Sequence, residues 1–284
     1  MTNDELGDRM KGYEKEYDVT IPKNQRVILR LDGNSFHVLT RAHFEAPFDD
    51  RFKESMHQAA ISVLDYTHGV LAYVQSDEIN VLLGERQEGE EILKNRVQKI
   101  CSIVASTCAV TFSKAASTAL GENIEAQFDC RCFPIPRDDV INYFVWRQRD
   151  SMRNAINSIY YWKLRETMGA KAATRKAEGT RNDQKEFTLK DEFGITIDQY
   201  PVHYIRGAVA YKRQRFLRIE DLATPEIIEK YKKQGGIVTR HEWFVDKEMP
   251  VIAECGLFQS LTGIYSHEIK KKTLFSNLGS SRSR

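Results

Sequence analysis

Three carboxylates carry the chemistry this sequence offers. Asp32 closes a short β-branched run, RVILRLD, and Asp77 and Glu78 fall in the polar break QSDE between two apolar runs, residues 70–74 and 79–83. The first run followed by Asp-Gly reads as a strand and turn, and the second pair of runs as a β-hairpin with acids at its tip. If that strand lies beside the hairpin, all three acids meet at one edge of a sheet. Carboxylates held together repel one another until a cation neutralises them. An all-oxygen ligand set suits Mg²⁺, which also bridges substrate phosphates. Two such ions clamp the attacking and leaving oxygens of a phosphoryl transfer. Gly33 lets backbone approach the site closely, and its carbonyl is a further ligand candidate. Taken singly, an Asp-Gly step is a turn and an acidic hairpin tip is solvated decoration; the combination is what points to catalysis. Arg96 and Lys99 are three apart on the following helical stretch and share a face, where they would meet a triphosphate or simply aid solubility.

Other chemistries lack their residues. No GxxxxGK[ST] phosphate loop, GxGxxG, HExxH or GxSxG occurs, and His37 and His43 are six apart, which is not a zinc-helix spacing. The five cysteines (Cys101, Cys108, Cys130, Cys132 and Cys255) are odd in number in a long chain, which argues against a disulfide scaffold. Cys130 and Cys132 would share a strand face, but no second pair or nearby histidine completes a tetrahedral metal set, so they read as buried thiols. Net charge is only +2, so positive charge is local. Residues 163–185 hold seven basic side chains against three acidic ones, and Lys212, Arg213, Arg215 and Arg218 form a second cluster. Each is either a phosphate track or a solvated face. No apolar run approaches the roughly 20 residues of a membrane span. The opening MTNDELGDRM lacks the apolar core of a secretory signal. The expectation is a cytoplasmic protein with no membrane partner.

The elements that must position the acids follow from periodicity. Residues 6–17 read as a short polar helix, 26–32 as a buried strand, and 49–67 as a helix with Phe52, Met56, Ala59, Ala60, Val63 and Leu64 on one face. After the hairpin, residues 91–117 are helical, 126–133 a strand ended by Pro134 and Pro136, and 140–168 a long aromatic-rich helix. Further strands are expected at 207–211 and 237–244. Strand, helix, hairpin, helix, strand is satisfied by an antiparallel sheet with helices on one face, an α+β fold.

Several motifs in order and spacing resemble one family: LDGNSFH (residues 31–37), AYVQSDE (72–78), FDCR (128–131) and WRQRD (146–150), then Gly179-Thr180 with Lys185 downstream, FGITI (193–197) and Arg206-Gly207. Over roughly residues 6–211 the chain is similar to the tRNA-His guanylyltransferase and guanylyltransferase-like proteins. The resemblance implies a polymerase-palm-like sheet working in the 3′-to-5′ direction, with a helical fingers-like region. Residues 1–135 would be the palm-like catalytic region, 136–270 a helical and mixed tRNA-binding region, and 271–284 a basic mobile tail. It implies that Asp32, the Gly33 carbonyl and Asp77 hold two Mg²⁺ ions, with Glu78 beside them as a third catalytic acid. Gly33, Asn34, Ser35, Phe36, His37, Asp50, Ser76, Arg96 and Lys99 would lie near the nucleotide, and Arg147, Asn154, Lys185 and Arg206 near tRNA. The implied substrates are tRNA, ATP and GTP or another nucleoside triphosphate, and the implied assembly is a homodimer or homotetramer. ATP would activate the 5′ phosphate as an adenylate, the 3′-hydroxyl of the incoming nucleotide would attack it, and pyrophosphate would then be removed.

Departures refine the expectation. Members that add guanosine specifically to tRNA-His carry His-Ile-Asn-Asn just after WRQxD, where this chain has Met152, Arg153, Asn154 and Ala155. That favours the branch that restores missing 5′ nucleotides by templated pairing. Where the family tends to place a lysine before a proline, this chain has Ala46 before Pro47, with Arg41 and Lys53 as the nearby replacements. Lys185 is followed by Glu186 and Phe187 where the family more often has Asn-Glu. Two other readings use the same fold: a nucleotide cyclase with the same metal acids, or a non-catalytic RNA-binding palm. The basic stretch at 163–185 and WRQRD favour an RNA substrate over the first. Intact acids oppose the second.

Overall fold

The computed structural model describes residues 3–85, 89–218, 237–254 and 256–263. Its centre is a six-stranded, antiparallel sheet in the order β4-β1-β3-β2-β5-β6. The strands are β1 (Arg26–Gly33), β2 (Leu71–Gln75), β3 (Glu78–Leu83), β4 (Phe128–Ile135), β5 (Ala208–Arg218) and β6 (Ile237–Asp246). The helices are α1 (Asn3–Glu16), α2 (Phe36–His43), α3 (Asp50–Thr67), α4 (Val97–Leu120), α5 (Val140–Met168), α6 (Ala170–Glu178), α7 (Asn182–Phe193), α8 (Val202–Arg206) and α9 (Gly256–Thr262). The α+β class and the antiparallel palm-like sheet agree with the sequence reading. Strands β5 and β6, from the later part of the chain, extend the same sheet beside β2.

Alternation along the strands explains how the layers form. Leu29, Leu31, Ile79 and Val81 pack with Phe52, Met56, Val63, Val104 and Phe112 of α3 and α4. Ile28, Leu82, Leu71 and Tyr73 point the other way, onto Val140, Ile141 and Phe144 of α5 and Phe258 of α9. Both faces of the inner strands are therefore covered, and β3 is buried along its whole length. A strand with no solvated face shows a continuous apolar run. The second cover comes from α5, whose first turns lie under the sheet while its later turns pack with α6 and α7 in a separate helical cluster around Ile159, Leu164, Ala173 and Leu189.

Two helices differ from expectation. The helix expected from residue 91 begins only at Val97, because Arg96 is extended, bridges to Thr20, and follows a tight turn in which Leu93 and Lys94 have positive φ. Helix α4 is long and apolar enough to cross a membrane by length and composition. It lies instead on the sheet, with Ile100, Val104, Cys108, Phe112 and Ala116 in the core. The short α2 carried too few apolar repeats to be read from sequence. The basic tail at 271–284 lies outside the described residues.

Candidate active site

Sheet register brings the acids together. β1 pairs with β3 so that Asp32 faces Glu78 across the ladder, and Gly33 N donates to the Asp77 carbonyl at 3.1 Å. On its other side β1 pairs with β4 so that Asp32 faces Asp129. Ser76 and Asp77 form the two-residue hairpin tip, with Ser76 at φ 44°. Gly33 is required sterically: a Cβ there would lie 2.3 Å from the Phe36 ring, which closes the base of the site within an aromatic cluster of Phe52, Phe112 and Phe128. Gly33→Ala is expected to destabilise the fold by about 1–3 kcal/mol, the usual cost of overpacking, and to lower activity; a thermal melt and an addition assay read both.

The electrostatics separate two kinds of acid. Asp32 is raised to about 6, first by burial and then by repulsion from Asp77, Glu78 and Asp129, with Arg30 opposing. Burial also raises Asp77, with Ser76 and Lys53 opposing. Among the described residues neither makes an ion pair. Glu78 is different. It is buried, and Arg147 forks onto it at 2.8 and 2.9 Å while Gln75 and Asn80 donate at 2.9 and 2.7 Å. Tyr143 donates to Asn80 and Arg147 also bonds Asp150, so the network ties the hairpin to α5. With its lone pairs occupied and its charge matched, Glu78 holds the hairpin tip in place and has little left for a metal.

Among the described residues no three His, Cys, Asp or Glu side chains converge closely enough for one metal ion. Asp32 and Asp77 nevertheless suit Mg²⁺, which takes one or two carboxylates and completes its shell with water and substrate phosphates. Their hard oxygens and unneutralised repulsion are what a divalent cation relieves. Because Asp32 is raised in the fold, the folded state holds the proton more tightly than the unfolded chain between its ordinary 3.8 and about 6. Stability from this group therefore falls as pH rises through that window, and the penalty is complete above it. Mg²⁺ should raise Tm by roughly 5–10 °C at pH 7.5 and about a hundredfold excess over Kd, and by much less at pH 5. An equal shift at both pH values would remove Asp32 from the metal site.

The remaining sequence candidates divide. Asn34, Ser35 and His37 are exposed at the start of α2 beside the acids, whereas Phe36 is buried core. Ser76 and Asn154 line one cavity of about 190 Å³, together with Arg41, Ala46, Asp49, Lys53, Gln75, Ser151 and Trp162. Asp50 does not line it. Asp49 caps α3 and contributes the wall, while Asp50 accepts from the Tyr204 hydroxyl. Arg96 and Lys99 are not brought to the acids at all. They begin α4, where Val97 N bonds the Val19 carbonyl and Ile21 N bonds the Asn95 carbonyl, at the end of the sheet where β1 starts. Six residues of β1, Arg26 to Leu31, precede Asp32, which puts roughly 20 Å between that end of the strand and Asp32 at about 3.3 Å per residue. Arg96 pairs with Asp18.

Of the tRNA candidates, Arg147 is 5% exposed and engaged with Glu78, and Lys185 is buried with its ammonium donating to Asn157 at 2.5 Å. WRQRD is an internal junction: Gln148 donates to the Arg206 and Pro250 carbonyls and accepts from Ile252 N. Arg206 lies at the end of α8, beside a second cavity lined by Met152, Phe187 and Tyr200. Lys171, Arg175 and Lys176 on α6 do face solvent. Arg213 and Arg215 pair with Glu242 on β6, a solvated strand face. Sequence reading missed Asp129, although FDCR contains it; only the β1–β4 register reveals its neighbour.

The family profile described as "Thg1: tRNAHis guanylyltransferase" matches residues 7–136, and that described as "Thg1 C terminal domain" matches residues 138–252. A probable tRNA(His) guanylyltransferase of Dictyostelium discoideum is 28% identical over 240 residues, covering 82% of this chain and 88% of the relative. Among solved structures, a bacterial Thg1-like protein in complex with ATP superposes with a TM-score of 0.72 at 26% identity, covering 91% of this chain and all of the other. A bacterial Thg1-like protein in complex with GTP gives 0.64 at 26% identity, covering 88% and 94%. With two adjoining profiles spanning most of the sequence, the chain belongs to the tRNA-His guanylyltransferase family of nucleotidyltransferases.

Proposed function

We propose that this protein adds nucleotides to the 5′ end of tRNA in the 3′-to-5′ direction, with Mg²⁺ at Asp32 and Asp77, and that it acts by templated repair. The carrying observation is the pair of unneutralised carboxylates at the strand ends, with Ser76, the residue before Asp77, in the wall of a cavity that the hairpin tip and α5 share. ATP would condense with the 5′ phosphate, releasing pyrophosphate and leaving AMP joined to the RNA through a phosphoanhydride. The 3′-hydroxyl of the incoming nucleoside triphosphate would then attack the RNA-side phosphorus and release AMP, and loss of pyrophosphate from the new end would leave a 5′ monophosphate. When bound, Mg²⁺ supplies charge neutralisation for the phosphate oxygens and lowers the pKa of a coordinated hydroxyl. The chain's own part is positional: Asp32 and Asp77 fix the oxygens that meet the substrate, Glu78 and Arg147 fix the turn that carries Asp77, and Gly33 lets the phosphate come near backbone.

Solvent-facing Lys171, Arg175 and Lys176 on α6 support a path for the tRNA phosphates. Repair over strict tRNA-His addition rests on Met152, which packs against the helical cluster and lines a cavity where the His-specific members carry histidine. Assembly into a homodimer or homotetramer belongs to the same reading, and light scattering tests it. The function test uses two 5′-monophosphorylated substrates, full-length tRNA-His and a tRNA lacking its first nucleotide, with ATP, Mg²⁺ and each nucleoside triphosphate in turn. Addition to the truncated tRNA, dictated by the opposite base, is expected. Guanylate addition to tRNA-His alone would sink the repair reading.

A further inference from the structure

Three long basic side chains are buried among the described residues: Lys53, Arg147 and Lys185. Two are partnered, Arg147 by Glu78 and Lys185 by Asn157. Lys53 is 7% exposed and makes no hydrogen bond or ion pair; its ammonium lies 6.0 Å from the Tyr204 ring centroid. Buried charges are ordinarily paired, because a desolvated ammonium with three unused donors is costly. Burial lowers its pKa to about 8, with the Asp77 charge opposing. Gln75 has the complementary problem: its amide Oε1, an acceptor, is buried and without a partner, while its Nε2 is spent on Glu78.

Both groups line the same cavity, whose floor is Gln75 and Ser76 at the hairpin tip and whose other walls are α2–α3 and Ser151 and Asn154 of α5. An unmatched cation and an unmatched acceptor lining one cavity with Ser76 of the hairpin tip describe a ligand that accepts at one atom and donates at another. A phosphate on a ribose does both: its oxygens accept from an ammonium and the sugar hydroxyl donates to an amide oxygen. Arg41 lines the cavity too but is exposed.

We propose that Lys53 is the cation that binds the phosphate group at the reacting centre, in a subsite floored by Gln75 and Ser76. The proposal rests on the nucleotidyltransferase reading above and adds a substrate-contacting residue to it. The phosphate is either the 5′ phosphate of the acceptor or that of the incoming nucleotide.

The test compares the full chain with Lys53→Met and Lys53→Arg. Calorimetry measures binding of a 5′-phosphorylated dinucleotide, its 5′-hydroxyl counterpart, and ATP with Mg²⁺. Steady-state addition separates kcat from KM for tRNA and for nucleotide. Lys53→Met is expected to lower kcat/KM by about a hundredfold, the cost of one missing electrostatic donor, with Lys53→Arg recovering most of it. Its Tm should equal or exceed the wild type's, since an unpaired buried charge is removed. Lost discrimination between the phosphorylated and hydroxyl dinucleotides assigns the acceptor phosphate; weakened ATP binding assigns the nucleotide. Unchanged binding and activity in Lys53→Met overturn the proposal. So does a loss that comes with a lower Tm and no recovery in Lys53→Arg. If the wild type adds nothing to any tRNA, the functional reading fails while the binding measurements still judge Lys53.

Discussion

Replacing Asp77 or Asp32 by Asn should lower nucleotide addition by at least a thousandfold, beyond the roughly 10²–10³ that removal of a single electrostatic donor costs. The two carboxylates are the anionic ligands proposed for the metal, so either change removes half of that charge. Stability should move the other way. Both groups are raised by burial and then by neighbouring acids, so a neutral isostere relieves a penalty present at neutral pH. The expected pattern is inactive protein with a Tm at or above the wild type's in metal-free buffer, and with tRNA affinity retained. Rapid-quench addition assays and thermal melts on the same preparations check it. Full activity in Asp77→Asn would mean the metal assignment is wrong.

Arg147→Ala should cost about 3–5 kcal/mol, because it leaves Glu78 buried without its charge partner. At this chain length that corresponds to a Tm lowered by roughly 10 °C. Activity should fall with it, since the Glu78–Arg147 fork anchors the turn that presents Asp77. A matched apolar replacement of both partners should recover part of the stability, which a single substitution does not. The family resemblance implied a tRNA contact for Arg147, and the melt separates the two roles. Unchanged Tm with weakened tRNA binding would restore the RNA role and remove the structural one.

The difference between these residues was only partly visible in the sequence. Strand β1, the hairpin and α3 announced themselves because their apolar spacing repeats over several residues, and the Asp-Gly and Ser-Asp-Glu breaks placed the acids at strand ends. What sequence cannot give is direction through space. Arg96 and Lys99 look adjacent to the acids because only the hairpin's second strand intervenes, yet that strand carries the chain to the far end of the sheet. Glu78 looks equivalent to Asp77, yet pleating turns it onto α5 and into the Arg147 network. WRQRD looks like a basic surface motif, and its role as a junction depends on Arg206, Pro250 and Ile252, which are distant in the chain. Lys53 sat within a helical pattern whose inner side is largely apolar, and only its burial in the cavity wall distinguishes it from a solvated lysine.

The most direct test of 5′-end addition follows a radiolabelled phosphate at the 5′ terminus of a truncated tRNA through a single turnover with ATP, Mg²⁺ and the templated nucleotide. The account predicts that the label becomes resistant to phosphatase as the chain grows by one residue, and that resistance vanishes in Asp77→Asn. Growth with the label still removable by phosphatase would place addition at the other end and contradict it.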